Sequence, residues 1–298
     1  MPRALMLATD LEARSDRAMA RAVQLARQWQ ARLVIVCVLP SSAGLALQEE
    51  LMGTPGWSRS SDLRDWAERQ LARLLGPHSA GIDWELHLEE GEVGPALLRV
   101  ATATGCGLIV AGQASNGLFQ TPRAGSTVVW LSRHSLLPLL LVRHPAGTAY
   151  RSLVLATDFS PASAQALAQA LALFGPPIQL DVVHALELPQ SGLRDIPHAD
   201  LESRAAGKAA GQARQFLARG PWEPDVAQQA RMVIAPGEPA RVVARFARDH
   251  DRDLVVVARH GRPALETLLL GSNARRLMAE ATTDLLLVRM QRTSEKAE

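Results

Sequence analysis

Short, continuous apolar runs alternate along the chain with longer stretches whose apolar residues recur at helical spacing, and the whole alternation occurs twice. "RALMLA" (Arg3 to Ala8) has strand length, while Ala18, Ala22, Leu25 and Trp29 fall on one face of a helix over Ser15 to Trp29. "RLVIVCVL" (Arg32 to Leu39) is too uniformly apolar for a half-exposed strand and predicts a parallel sheet covered on both faces. The series continues with a helix in "SDLRDWAERQLARLL", stopped by Gly76-Pro77, then strand, helix, strand, helix and strand in "DWELHLEEG", "PALLRVATAT", "GLIVAG", "STVVWLSRHS" and "PLLLVR".

From "SLVLATD" at Ser152 the same order begins again, through "SAQALAQALALFG", "QLDVVHAL", a helix from about Asp200 to Arg219, "QARMVIAPG", "PARVVARFARDH", "DLVVVARHG", "SNARRLMAEAT" and "DLLLVR". Strands alternating with helices of these lengths predict right-handed βαβ crossovers, so each half reads as a doubly wound α/β domain. The boundaries fall at residues 1–144 and 151–290, joined by "HPAGTAY". A length of 298 residues accommodates two domains with cores of their own.

Composition narrows the picture. With 47% apolar but only 4% aromatic residues, Leu, Val and Ala must fill the cores. No apolar run reaches the ~18 residues of a membrane span, and Asp10 interrupts the N-terminal run before a signal core forms, so a cytoplasmic protein is expected. Cys37 and Cys106 lie in apolar segments of one half without a CxxC partner and read as buried small hydrophobes. A formal charge of +2, with Arg and Glu interleaved, excludes a broad nucleic-acid footprint. His87, His134 and His184 lack zinc-site spacing, and no metal site is expected.

In a doubly wound sheet the ligand crevice lies beyond the carboxyl ends of the strands, where the strand order reverses. After the first strand of each half stands Thr9-Asp10 or Thr157-Asp158, followed five residues later by Ser15 or Ser163. Such an aspartate either holds the turn by accepting backbone N–H bonds or meets a ribose or cation. After the fourth strand the second half reads "ARHGRPALETLLLGSN", with nine residues between Gly261 and Gly271-Ser272. Free N–H groups and the Ser272 hydroxyl at a helix N-terminus suit a phosphate, although ordinary capping explains the same residues. His260 falls inside this segment, where an imidazole can donate to a phosphate oxygen, and Arg275 and Arg276 come within one turn of Ser272.

The strand ending in Thr-Asp, "DLVVVARHG", "LLLGSNARRLM" and the closing "DLLLVR" resemble the universal stress protein family, once over Arg3 to Arg143 and again over Arg151 to Arg289, as in its tandem form. The resemblance implies two five-stranded parallel sheets of the adenine nucleotide alpha hydrolase-like kind. It also implies ATP, with Mg2+ as companion ion, bound by a Gly-x2-Gly-x9-Gly-(Ser/Thr) loop, an aspartate at the ribose and strand-edge backbone around the adenine. Carried onto this chain, the second-half site comprises Thr157, Asp158, Ala185, Val257, Ala258, His260, Gly261, Gly271, Ser272 and Asn273, with Ala258 replacing the first glycine. The first-half site comprises Asp10, Gly112, Gly125, Ser126 and Thr127, with Ser115 replacing the second glycine and Pro122 stiffening the loop beyond it. An added methyl at Ala258 disturbs such a loop less than the loss at Ser115, so the second half is expected to keep the better site and the first to be degenerate. The resemblance further implies that the closing strands Leu139 to Val142 and Leu285 to Val288 pair within one molecule as a covalent pseudo-dimer, with a homodimer of tandem chains as a further assembly.

No Gly-x-Ser-x-Gly elbow, Gly-x4-Gly-Lys-(Ser/Thr) loop or dinucleotide fingerprint is present, and no lysine stands near the expected phosphates, so the protein is not expected to be an enzyme beyond slow ATP hydrolysis. The leading expectation is a stress-response regulator or sensor that binds ATP. The alternative is a stress scaffold without nucleotide, acting through protein or apolar-ligand binding. A nucleotidyl transferase fits poorly, because neither "ATDLEARS" nor "ATDFSPAS" contains histidine.

Overall fold

The computed structural model of the chain describes residues 1–12, 15–39, 60–76, 81–112, 125–186, 198–259 and 271–290. These divide into two compact units, one formed by the described residues of 1–112, 125–131 and 139–147, the other by 132–138 and 148–290.

The first unit contains β1 (Ala4–Ala8), α1 (Asp16–Trp29), β2 (Arg32–Leu39), α2 (Ser60–Leu75), β3 (Trp84–Glu90), α3 (Val93–Ala103), β4 (Ile109–Gly112), α4 (Ser126–His134) and β5 (Leu139–Val142), the last turn of α4 grouping with the second unit. Its strands are parallel in the order β3-β2-β1-β4-β5. The second unit contains β6 (Ser152–Ala156), α5 (Pro161–Phe174), β7 (Gln179–Leu186), α6 (His198–Arg219), α7 (Pro224–Gln229), β8 (Ala230–Pro236), α8 (Pro239–Asp249), β9 (Leu254–Ala258), α9 (Ser272–Glu280) and β10 (Asp284–Val288). Its parallel order is β10-β9-β6-β7-β8, so both units have the doubly wound α/β architecture that the alternating pattern predicts.

Successive side chains of a strand point to opposite faces, so burial of consecutive residues reports cover on both. Leu5, Met6 and Leu7, Leu33 through Val36, Leu153 through Leu155 and Leu254 through Val256 are all fully buried. Each such side chain contributes roughly 1.5–3 kcal/mol of transfer free energy. β3 and β8 end their sheets and are mostly half-exposed, consistent with the polar alternation of "WELHLEE". β5 and β10 stand at the opposite ends and are buried throughout.

Two strand carboxylates, Asp181 of β7 and Asp284 of β10, are set into this apolar layer, and the Tyr150 hydroxyl donates to Asp284 Oδ2 at 2.6 Å. Asp181 of β7 is 2% exposed, and Arg252 Nε meets its Oδ2 at 2.7 Å. A polar group so far from water costs free energy unless it has a hydrogen-bonding partner of this kind. Cys37 and Cys106 are buried free thiols, as expected of small core residues. Burial, with a smaller contribution from the Asp10 charge, pushes the Cys37 thiol up to about 11.

Candidate functional site

The strand order reverses between β1 and β4 in the first unit and between β6 and β9 in the second. In register, Ala8 faces Ala111 and Ala156 faces Val257, which brings the loops after these strands to neighbouring positions at the carboxyl edge.

Both Thr-Asp pairs build the same turn. Thr9 Oγ1 accepts from the Leu11 N–H at 2.9 Å, Asp10 Oδ1 accepts from the Glu12 N–H at 3.1 Å, and the Ser15 hydroxyl donates to the same Oδ1 at 2.7 Å. In the second unit Phe159 N–H donates to Thr157 Oγ1 at 2.8 Å, Ser160 N–H to Asp158 Oδ1 at 3.0 Å, and the Ser163 hydroxyl to that oxygen at 2.8 Å. The residue after each aspartate takes a left-handed conformation, φ 59° at Leu11 and φ 61° at Phe159, which these bonds must hold against its steric cost. The turn-holding role of the aspartate is therefore present in both units, and it engages one carboxylate oxygen. For Asp158, Oδ2 has no partner among the described residues. Partial burial works to raise its pKa, but the bonds from Ser160 and Ser163 outweigh it and hold the carboxyl below the usual carboxylate range.

The turn runs directly into α5. Ser160 is the N-cap, its Oγ accepting from the Ser163 N–H at 3.3 Å, and Pro161 opens the helix, where its missing N–H costs nothing. Phe159 lies against His184 with ring centroids 4.4 Å apart and against Phe216 at 5.8 Å, and His184 Nδ1 is 2.9 Å from the Thr157 carbonyl. His184 is thus a hydrogen-bonded structural histidine supporting the turn. Ala185, expected near the base, comes next in β7 opposite Ala235.

After β9 the chain is pinned at two points. Arg259 N–H donates to the Val288 carbonyl at 2.8 Å, and Gly271 N–H donates to the Arg259 carbonyl at 2.8 Å. Gly271 is the N-cap of α9, and its carbonyl accepts from Arg275 N–H at 3.1 Å. The N–H groups of Ser272 and Asn273 have no partner among the described residues, and both side chains are exposed. Gly125 begins α4 in the same way, its carbonyl accepting from Val129 N–H at 3.0 Å.

Of the expected second-half residues, Thr157, Asp158, Ala185, Val257, Ala258, Gly271, Ser272 and Asn273 therefore lie on the carboxyl side of the sheet or on the helix that starts there, with Val257 buried. His260 and Gly261 lie outside the described residues, as do Ser115 and Pro122 and the segments 40–59 and 187–197. In the first unit Asp10, Gly112, Gly125, Ser126 and Thr127 occupy the equivalent positions. Arg276 is drawn to α8, where its Nη1 is 3.0 Å from Glu238 Oε1, whereas Arg275 is exposed. Sequence reasoning missed Ser160, although Ser-Pro before an apolar periodic run is an N-cap signal, and it missed Arg259, which nothing in its neighbourhood distinguishes from a solvated arginine. Among the described residues no group of three or more His, Cys, Asp or Glu is placed to hold a metal, and no helix is long and apolar enough to cross a membrane.

Comparison with known proteins points to one family. The model of the universal stress protein family matches residues 1–143 and again 149–289. A putative universal stress protein from Pseudomonas aeruginosa UCBPP-PA14 superposes with a TM-score of 0.65 at 17% identity, over 97% of this chain and 93% of its own. A functionally unknown protein from Pseudomonas aeruginosa PAO1 gives 0.65 at 16% identity over 97% and 92%, and a universal stress protein from Archaeoglobus fulgidus DSM 4304 gives 0.62 at 14% over 97% and 99%. These likenesses cover both repeats in one chain.

Proposed function

The chain belongs to the universal stress protein family in tandem form, and from that premise we propose that it is a stress-response regulator or sensor that binds ATP in its second domain with little or no hydrolysis. The observation that supports this most is the pair of anchors at the β6/β9 reversal point. Asp158 is fixed through Oδ1 with Oδ2 free of partners among the described residues, and α9 opens next to β9's continuation with the Ser272 and Asn273 N–H groups unpaired among those residues.

In this reading Asp158 Oδ2 accepts from a ribose hydroxyl, and the cost of ordering the carboxylate has already been met by Ser160 and Ser163. The N-terminus of α9 supplies backbone N–H groups and the positive end of its dipole to the phosphates, with His260 and Gly261 completing the loop. Thr157, Ala185, Val257 and Ala258 offer backbone to the base, and Mg2+ enters only as the nucleotide's companion ion. Slow or absent hydrolysis accords with the charge inventory, since the chain has only two lysines, Lys208 and Lys296, and Arg276 is engaged by Glu238. The first-half residues Asp10, Gly112, Gly125, Ser126 and Thr127 form a degenerate copy. Residues 1–144 and 151–290 are the duplicated domains, and Leu139–Val142 pairs with Leu285–Val288; the support is that each is an apolar strand at the end of its own sheet, a template for pairing with another strand.

Thermal unfolding with and without ATP and Mg2+ tests the site. At a hundred times Kd a ligand stabilises by about 2.7 kcal/mol, so the wild-type transition rises, and Asp158→Ala and Gly271→Arg remove the rise. Equal ATP-dependent shifts in both variants and the wild type rule out this site.

One observation favours the scaffold alternative. A groove of about 750 Å³ in the second unit, lined by Asp158, Phe159, Gln165, Gln212, Phe216 and Met290 among others, adds apolar and amide surface beside that carboxylate, which suits a partly apolar ligand. Mass spectrometry showing a non-nucleotide ligand retained by the purified protein supports that alternative.

A further inference from the structure

Arg259 is the residue through which three parts of the second unit meet. Its side chain is 1% exposed, and the guanidinium donates from Nη1 to the Ser132 carbonyl at 2.9 Å and from Nη2 to the Leu137 carbonyl at 2.8 Å. Ser132 lies in the last turn of α4, where carbonyls lack intrahelical partners and a cation is favoured. Leu137 is presented by a turn that the fully buried Ser135 closes, its Oγ accepting from Leu137 N–H at 3.0 Å and donating to the Leu137 carbonyl at 3.1 Å. Segment 132–138 belongs to the same compact unit as Arg259.

The backbone of the same residue holds the candidate anion site, since its carbonyl receives the Gly271 N–H that fixes the start of α9. A buried guanidinium has no water to fall back on, so it moves with its carbonyl partners or loses charge-assisted bonds at substantial cost. The equivalent position of the first half is the neutral Gln113, so only one copy of the repeat carries this cation.

Resting on the ATP reading above, we propose that Arg259 is a positioning residue that couples occupancy of the α9 N-terminus to the order of segment 132–138. Phosphate bound at Ser272 and Asn273 holds Gly271 and the Arg259 carbonyl in place, and the guanidinium passes that restraint to Ser132 and Leu137. Linkage makes the effect reciprocal: loosening the 135–137 turn weakens nucleotide binding by the same factor.

Hydrogen–deuterium exchange of the full chain, with and without ATP and Mg2+, tests the coupling, with native mass spectrometry of the same samples counting bound nucleotide. The wild type is expected to show exchange of the 132–138 amides slowed about fivefold or more by ATP. Arg259→Gln, which copies the first half, is expected to lose that response, and Ser135→Ala is expected to bind ATP about fivefold more weakly. Bound nucleotide without any change at 132–138 in the wild type overturns the coupling alone, as does a Ser135→Ala variant of wild-type affinity. A wild type that binds no nucleotide overturns the ATP reading and this proposal together, and the nucleotide count separates the two failures. The wild-type comparison and Ser135→Ala keep the test decisive should Arg259→Gln not fold.

Discussion

Gly271 adopts φ −55° and ψ 143°, a backbone open to any residue, so conformational freedom is not the reason for glycine there. The reason is proximity: a Cβ at this position stands 2.6 Å from the Arg259 carbonyl oxygen, and that oxygen accepts the Gly271 N–H. Neither side yields easily, because Arg259 is tied to Val288 by its N–H and to Ser132 and Leu137 by its side chain. Gly271→Ala must therefore displace the start of α9 and break one hydrogen bond. Overpacking of this kind costs about 1–3 kcal/mol and the lost bond about 1 kcal/mol, so the substitution is expected to destabilise the second unit by about 2–4 kcal/mol. At about 2–4 °C per kcal/mol for a unit of this size, its melting transition falls by about 5–15 °C. Urea titration followed by Trp222 fluorescence measures the effect, with the exposed Ser272→Ala as a control expected within about 0.5 kcal/mol of wild type. A Gly271→Ala variant as stable as that control would falsify the close-approach argument.

Three further outcomes are expected from the same structure. Because the folded-state pKa of Asp158 is depressed, its contribution to stability is present above its unfolded value of about 3.9 and lost as pH falls through the folded value. Stability curves of wild type and Asp158→Asn should therefore converge as pH drops below about 4, and parallel curves across that range contradict the assigned bonds. Arg252→Ala leaves the buried Asp181 carboxylate, among the described residues, with only Arg231 as a cationic partner, 4.0 Å away, and is expected to cost about 3 kcal/mol in urea titration, largely recovered by adding Asp181→Asn; a loss under about 1 kcal/mol contradicts it. Gly94→Ala drives a Cβ into the Trp130 ring, so its emission should shift to the red as the first unit loosens; unchanged emission and stability contradict the packing.

The legible and the hidden parts of this molecule have separate physical causes. Continuous runs such as "RLVIVCVL" and "DLVVVA" are legible because only a sheet covered on both faces buries every position, and the order of crossovers then identifies the reversal points. The Asp158–Ser163 partnership is visible as a spacing, yet the left-handed turn at Phe159 is not, because hydrogen bonds rather than residue type impose it. Helix α7 escapes a reading of the sequence, since "PDVAQQ" is too short to show apolar periodicity. Arg259 is invisible for another reason: its burial is created by carbonyls more than a hundred residues away in the chain, which no local pattern encodes. The part of the candidate site at His260 and Gly261 lies outside the described residues and rests on the family motif.

The most direct test of the central claim is native mass spectrometry of the freshly purified, undialysed full chain, with and without millimolar ATP and Mg2+, beside its Asp158→Ala variant. One nucleotide per wild-type chain and none on the variant is the expected result. No nucleotide on the wild type at millimolar ATP contradicts the nucleotide reading, and two per chain contradicts the division between a working second domain and a degenerate first.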